Sequence, residues 1–222
     1  MKTKKYSQVF LLPFFVAIFI LLLSIKVHAE GQGWFSNSLN MTINNEFSLI
    51  LKSQIRTHDI SFQDPFVYLL EGGAGYKLPK NFHIAAFYRR QGSESNHHQV
   101  HENRYTLEAG WKTKLKKTLS FDGRFRTERR SFEQNADVNH FRFRLHIRLT
   151  ANIKLGELKL KPFVAEEPFW DTKVDGFSQN RFYLGTAILL SKKVEYVLSY
   201  LRQDLKNKEP NHIFYTGFNL RF

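Results

Sequence analysis

From Glu46 to Phe222 polar and apolar residues alternate with a period of two, the spacing of a strand with two unlike faces. The clearest stretch puts Phe141, Phe143, Leu145, Ile147, Leu149, Ala151 and Ile153 on one face, and Arg142, Arg144, His146, Arg148, Thr150, Asn152 and Lys154 on the other. Strands of soluble sandwiches usually run about 5–6 residues. This one continues for more than twice that length, as transmembrane strands of about 9–11 residues or longer do. The pattern predicts strands over 46–57, 65–78, 81–91, 103–115, 118–130, 139–154, 157–167, 180–191, 193–204 and 211–222. Their connections alternate between short turns (Leu78 to Asn81, Leu115 to Lys117, Leu155 to Glu157, Ser191 to Lys193) and longer polar loops (58–64, 92–102, 131–138, 168–179, 205–210). That is the plan of an all-β, antiparallel transmembrane barrel. Residues 34–44 also alternate. Because bacterial barrels of this kind have an even number of strands, this segment either extends the first strand past a bulge at Asn44–Asn45, pairs at the seam, or has a partner strand in a loop. The expectation is ten strands plus this N-terminal segment, with twelve as the alternative.

The first residues read differently. Lys2, Lys4 and Lys5 precede an apolar run from Val9 to Leu23, and Val27-His28-Ala29 follows, the order of a secretory signal peptide. An uncleaved membrane anchor is the rival reading. The expected organisation is a signal peptide over 1–29, an N-terminal or seam segment over 30–45, and a barrel over 46–222, in a chain exported by a Gram-negative bacterium through the Sec route. The 222 residues contain no Cys, which excludes disulfide scaffolds, thiolate metal sites and cysteine nucleophiles. With 33 Lys+Arg against 20 Asp+Glu the chain is strongly basic, and it remains so after loss of a leader that holds four Lys and no acid.

The chain ends Tyr215-Thr216-Gly217-Phe218-Asn219-Leu220-Arg221-Phe222. This resembles the C-terminal strand of Gram-negative outer-membrane barrels, in which a polar residue, a Gly and two bulky apolar residues stand at the spacing filled here by Tyr215, Gly217, Leu220 and Phe222. The resemblance implies recognition by the barrel-assembly machinery. Trp34, the Gln54 and Arg56 pair at a strand end, and the Glu166 to Phe169 stretch also resemble an uncharacterised, domain-of-unknown-function family of small outer-membrane barrels, which implies the fold and no activity.

Alternation sorts the faces. Phe47, Leu49, Leu51, Tyr105, Leu107, Ala109, Trp111, Phe121 and Phe125 are expected to meet lipid, with Tyr76, Tyr88 and Trp111 suited to interfacial girdles. The other face predicts a basic lumen wall of Arg124, Arg126, Arg130, Arg142, Arg144 and Arg148, opposed by Glu71, Glu108, Glu128, Glu167 and Glu195. Such a lumen is either a salt-bridge network filling a narrow barrel or a porin-like path that concentrates small anionic solutes. Arg89, Arg90, Arg129 and Arg130 near the outer rims suit lipopolysaccharide phosphates. His97, His98 and His101 crowd a loop beside Glu102 and are the candidates for a metal site, though no metal or cofactor is expected, since nothing orders that loop into a helix. A lipid-modifying hydrolase (phospholipase or lipid A deacylase type) is the alternative function. His83, His146 and His212 could supply its base, but no strand carries a compact Ser/His motif. A soluble periplasmic sandwich is a third reading. Interleaved Arg and Phe point away from nucleic acid, because alternation sends them to opposite faces.

Overall fold

The computed structural model describes residues 31–95, 98–133 and 139–222. The expected leader over 1–29 lies outside the described residues, as do His97 and the side chain of His98. The strands are β1 (Gln32–Thr42), β2 (Phe47–Thr57), β3 (Pro65–Lys77), β4 (Phe82–Ser95), β5 (His98–Lys116), β6 (Leu119–Phe132), β7 (His140–Ala151), β8 (Ile153–Leu155), β9 (Leu158–Asp171), β10 (Gly176–Leu189), β11 (Val194–Leu205) and β12 (Asn211–Arg221). β7 and β8 follow β9 in one register, Thr150 opposite Phe163 and Ile153 opposite Leu160. β8 is therefore a short extra strand continuing β7, and the described residues form a closed barrel of eleven staves.

Closure is made by β1. It pairs antiparallel with β2 and parallel with β12, from Gln32 opposite Ile213 to Asn40 opposite Arg221. The ten hairpin strands and the N-terminal segment are all present, with that segment serving as the seam. The odd number departs from the even-strand rule of bacterial barrels. When strands alternate in direction, an odd count leaves the first and last parallel, and their evenly spaced, slanted bonds still satisfy both edges. Asn44 belongs to the β1–β2 turn and not to a bulge: its side-chain oxygen accepts from the backbone N–H groups of Glu46 and Phe47 at 2.9 and 2.8 Å.

Two connections are shorter than the alternation predicts. The β4–β5 ladder runs on through the expected loop 92–102, with Ser93 opposite Val100 and Glu94 opposite Gln99. Beyond the apolar band both faces of a strand meet water, so polarity stops alternating while backbone pairing continues. The expected loop 168–179 shrinks to a 3₁₀ turn, Thr172–Val174, in which the Asp171 carboxylate accepts the Lys173 N–H at 3.0 Å.

Outward residues form a belt. Phe47 and Tyr76, then Phe82, Trp111 and Phe121, ring the short-turn end with centroid separations of 4.7, 6.2 and 5.7 Å. Tyr88 against Tyr105 at 5.4 Å and Trp170 against Phe177 at 6.5 Å ring the other end. On β3 the two girdles lie at Tyr76 and Tyr68, about 27 Å apart along a tilted strand at ~3.4 Å per residue, which suits an apolar band ~25 Å tall. Inside, one side of the wall is apolar: Trp34, Leu201 and Ile213 form one cluster, Phe163, Ala187 and Val197 another. The β3–β7 side carries most of the charge.

The seam leaves no room at Gly217. A Cβ there would stand 1.6 Å from the Ser36 carbonyl oxygen. Gly217→Val is expected to abolish the compact, heat-modifiable gel band of the folded barrel, while Gly72→Ala, whose Cβ would meet only a Leu51 methyl at 3.5 Å, keeps it; a wild-type band from Gly217→Val would refute the parallel seam. Leu107, 67% exposed on the outward face between the girdles, is expected to cost about 2–4 kcal/mol when changed to Arg, measured as folding stability in liposomes.

Candidate functional site

The lumen is built by parity. On β6 and β7 the inward positions are Asp122, Arg124, Arg126, Glu128, Arg130 and His140, Arg142, Arg144, His146, Arg148, with Phe125, Phe141 and Phe143 on the opposite face. All six arginines of the expected basic wall face inward, as do the five expected acids.

Each acid takes more than one cation. The fully buried Glu71 accepts from Lys52 at 2.9 Å and from Arg89 at 2.8 and 2.5 Å. Glu108 holds Arg126, with Arg124 at 3.5 Å and His83 at 3.4 Å. Glu128, also fully buried, receives Arg142 at 2.8 and 2.6 Å, Arg144 at 2.6 Å and Arg104 at 3.7 Å. Glu167 receives Arg144 at 2.7 Å and the Tyr183 hydroxyl at 3.1 Å, and Arg124 and Arg181 stand farther off at 3.6 and 3.9 Å. Glu195 ties Lys161 at 2.5 Å and Arg221 at 2.9 Å. Charge-assisted, often two-pronged bonds of this kind fix the guanidinium planes.

The carboxylates sit against the wall and the cations project past them. In the half of the lumen toward the longer loops, a cavity of about 580 Å³ is lined by Lys52 and by Arg56, Arg89, Arg104, Arg124, Arg130, Arg142, Arg144, Arg148 and Arg181, with no carboxylate among its lining residues. A second space of about 920 Å³ opens toward the short turns, lined by Lys77, Lys112, Lys114, Lys116, Lys117, Lys161 and Arg221 with Asp122 and Glu195. Arg124, His146, Arg148 and Asn219 line both, so they mark the waist between the two.

Two lumen arginines are in no ion pair among the described residues. Arg56 donates from Nε to Gln54 at 2.8 Å and lies 3.9 Å over the Trp34 ring. Arg148 donates to the Thr150 hydroxyl at 3.2 Å and lies 3.7 Å over Phe163. Cation–π contact holds both in place without neutralising them.

Other expectations divide. Arg90 and Arg129 face outward, Arg90 bound to Glu133 and Asn103. Arg89 and Arg130 do not belong to the outer rim, because strand parity turns them into the lumen, where Arg130 meets Glu102 at 2.7 and 2.8 Å. Glu102 likewise leaves the histidine group for the lumen, and His101 lies on the outer surface of β5. Among the described residues no group of three or more His, Cys, Asp or Glu is placed to hold a metal ion. His83 stacks over Gly110 and faces Glu108, His146 lies 3.8 Å from Glu167, and His212 meets the Tyr200 hydroxyl at 2.6 Å, and among the described residues none of the three is hydrogen-bonded to a serine hydroxyl. Lys52, Arg56, Arg104 and Arg181 join the expected cations in the lumen, turned inward by the parity of their own strands.

A family model described as "Protein of unknown function (DUF2490)" matches residues 31–213. The chain belongs to that family. No curated protein matches this DUF2490 member. Among solved structures it is similar to the β domain of the Bordetella autotransporter BrkA (13% identity, 76% of this chain and 78% of that one, TM-score 0.47). It is also similar to LpxR from Salmonella typhimurium (8% identity, 79% and 83%, TM-score 0.46), and to a bacterial polysaccharide outer membrane secretin (10% identity, 79% and 74%, TM-score 0.43).

Glu128→Gln is expected to destabilise the barrel by about 3–5 kcal/mol, because it leaves Arg142 buried without its counter-charge and Arg144 with Glu167 alone. The urea midpoint of refolding into detergent micelles measures it.

Proposed function

We propose that this DUF2490 barrel is an exported outer-membrane protein, non-enzymatic, whose lumen is a narrow pore favouring small anions. The observation that carries the reading is the cavity lined by nine arginines and Lys52 with no carboxylate facing it, continued past Arg124 and Arg148 by a lysine-rich space at the short-turn end. Cationic walls in a narrow, low-dielectric tube concentrate counter-charge and repel cations. Arginines matched one to one with carboxylates would give a neutral plug. Here each buried Glu is shared among several cations, which leaves positive charge on the inner surface.

The remaining parts of the reading are the setting. The aromatic girdles and apolar belt suit a bilayer, the residues over 1–29 are read as a leader cleaved after Ala29, and Tyr215, Gly217, Leu220 and Phe222 as the signal to the barrel-assembly machinery. Tyr215 and Gly217 lie on the inward side of β12 and Leu220 and Phe222 on the lipid side, an arrangement that would offer the two apolar side chains outward. Arg90 and Arg129 are the outward cations available to lipopolysaccharide phosphates.

A filled, non-conducting barrel is the competing reading, favoured by Phe169 and Leu201, which are fully buried on the inner side. Small anion-selective currents from the refolded protein in a planar bilayer are expected, with selectivity reduced in Arg148→Ser and Arg124→Ser. These two are chosen because Arg148 is in no ion pair and Arg124 meets its carboxylates only at 3.5 and 3.6 Å, so the wall survives their loss. No current from a demonstrably folded barrel would leave the plug as the answer.

A further inference from the structure

We propose that the loop-side cavity holds a specific site for a phosphorylated small solute, built around Trp34, Arg56 and Arg181. This deepens the anion reading by naming a ligand class, and it rests on the lumen being open to solutes, though not on conduction. Two hairpins far apart in the chain meet here. β1 supplies Trp34, β2 supplies Gln54 and Arg56, and β9 and β10 supply Glu167, Phe169 and Arg181. Both guanidiniums lie over the Trp34 ring, at 3.9 Å for Arg56 and 5.0 Å for Arg181, and Arg181 also lies 4.8 Å over Phe169. Arg56 is in no ion pair among the described residues, and the single carboxylate near Arg181, Glu167, stands at 3.9 Å while it bonds Arg144 at 2.7 Å.

The site is therefore the part of the lumen where cations are held by aromatic faces instead of by acids. Stacking orients a guanidinium without consuming its N–H groups, so Arg56, which gives only its Nε–H to Gln54, keeps both terminal amino groups for an oxyanion. A second observation points to the same ligand chemistry. Arg181 is 9% exposed and its Nε has no hydrogen-bond partner; Gln179, 7% exposed, has an unpartnered Nε2, its oxygen being used by Gln203 at 2.8 Å. Buried donors with no acceptor are costly to a native structure unless a bound group satisfies them. Several donors converging on one polar cavity ask for a group with several acceptor oxygens. Phosphate takes bidentate arginine bonds best, and about 580 Å³ is within the ~300–1,000 Å³ usual for small-molecule sites, too large for the bare ion alone. Because these side chains face the lumen, the expected source is a soluble phosphate ester and not a lipid headgroup in the surrounding bilayer.

Trp34 provides its own reporter, because the other two tryptophans, Trp111 and Trp170, face outward. In full-length protein refolded in detergent and carrying Trp111→Phe and Trp170→Phe, glucose 6-phosphate is titrated at constant ionic strength, beside inorganic phosphate, glucose and lipopolysaccharide micelles. The expected result is a saturable change in Trp34 emission with glucose 6-phosphate, weaker binding of phosphate and no response to glucose. Arg56→Gln and Arg181→Gln are each expected to weaken binding about tenfold or more, Arg56→Lys to recover only part of it, and outward Arg90→Gln to change nothing. No saturable response from the folded single-tryptophan variant overturns the proposal, and so does wild-type affinity in both arginine variants. A response to lipopolysaccharide alone, lost in Arg90→Gln, would move the phosphate site to the outer surface and overturn it as well. The readout needs no membrane, so a protein that binds without conducting fails only the pore reading, and one that conducts without binding fails only this one.

Discussion

A sheet whose edges are open cannot sit in hydrocarbon, because each unpaired N–H and C=O there costs several kcal/mol. Everything else in this barrel depends on how that constraint is met between β1 and β12. The ten strands that follow β1 alternate up and down and would leave β2 and β12 as free edges. β1 fills the gap between them, antiparallel to one and parallel to the other, and the chain end is tied in by Phe222, whose N–H donates to Asn40 at 2.9 Å and whose carbonyl accepts from Thr42 at 2.7 Å. Gly217 is the local condition for that closure, since the backbone of Ser36 occupies the space its side chain would need. Closure sets the diameter, and the diameter decides how near the charged side chains of opposite walls come to each other.

At that diameter the charges cannot all be hydrated by bulk water. Glu71, Glu128 and Glu167 are withdrawn into the wall, and each binds cations from neighbouring strands. Ionic groups in such a setting hold one another in place more than they add net stability, and loss of one partner is costly because the other is left behind. Arginine suits this role through its planar fork, which reaches two carboxylates at once, as Arg144 does between Glu128 and Glu167. The excess of arginine over acid is then carried by aromatic rings: Trp34 and Phe163 hold Arg56 and Arg148, which are in no ion pair among the described residues, and Phe169 holds Arg181, whose one carboxylate stands at 3.9 Å. A rigid lattice of neutralised pairs thus frames a smaller number of exposed positive groups, and those groups give the lumen its chemical character.

The strand series was legible in the sequence because period-two alternation is a local property, enforced at every residue by lipid on one side and a polar lumen on the other. It sent Arg124 and Arg142 inward and Phe125 and Phe141 outward without reference to any other strand. It failed where that contrast fades. Past the girdles both faces are wet, so residues 92–102 read as a loop although β4 and β5 remain paired there, and Arg89 and Arg130 were assigned to a rim that only their neighbours Arg90 and Arg129 occupy.

What the sequence determined by itself was the all-β class, the hairpin order and the facing of most side chains, each a consequence of nearest-neighbour geometry along one strand. Tertiary structure decided the rest, because it depends on pairings between residues far apart in the chain. Residues 32–42 became a seam strand only through contact with 213–221. Glu167 came to serve Arg124, Arg144 and Arg181 only because three different strands point at it. Trp34 and Arg181, about two thirds of the chain apart, met because ring closure leaves only β11 and β12 between β1 and β10. Alternation tells a side chain which way to face; the closed ring alone decides what it will find there.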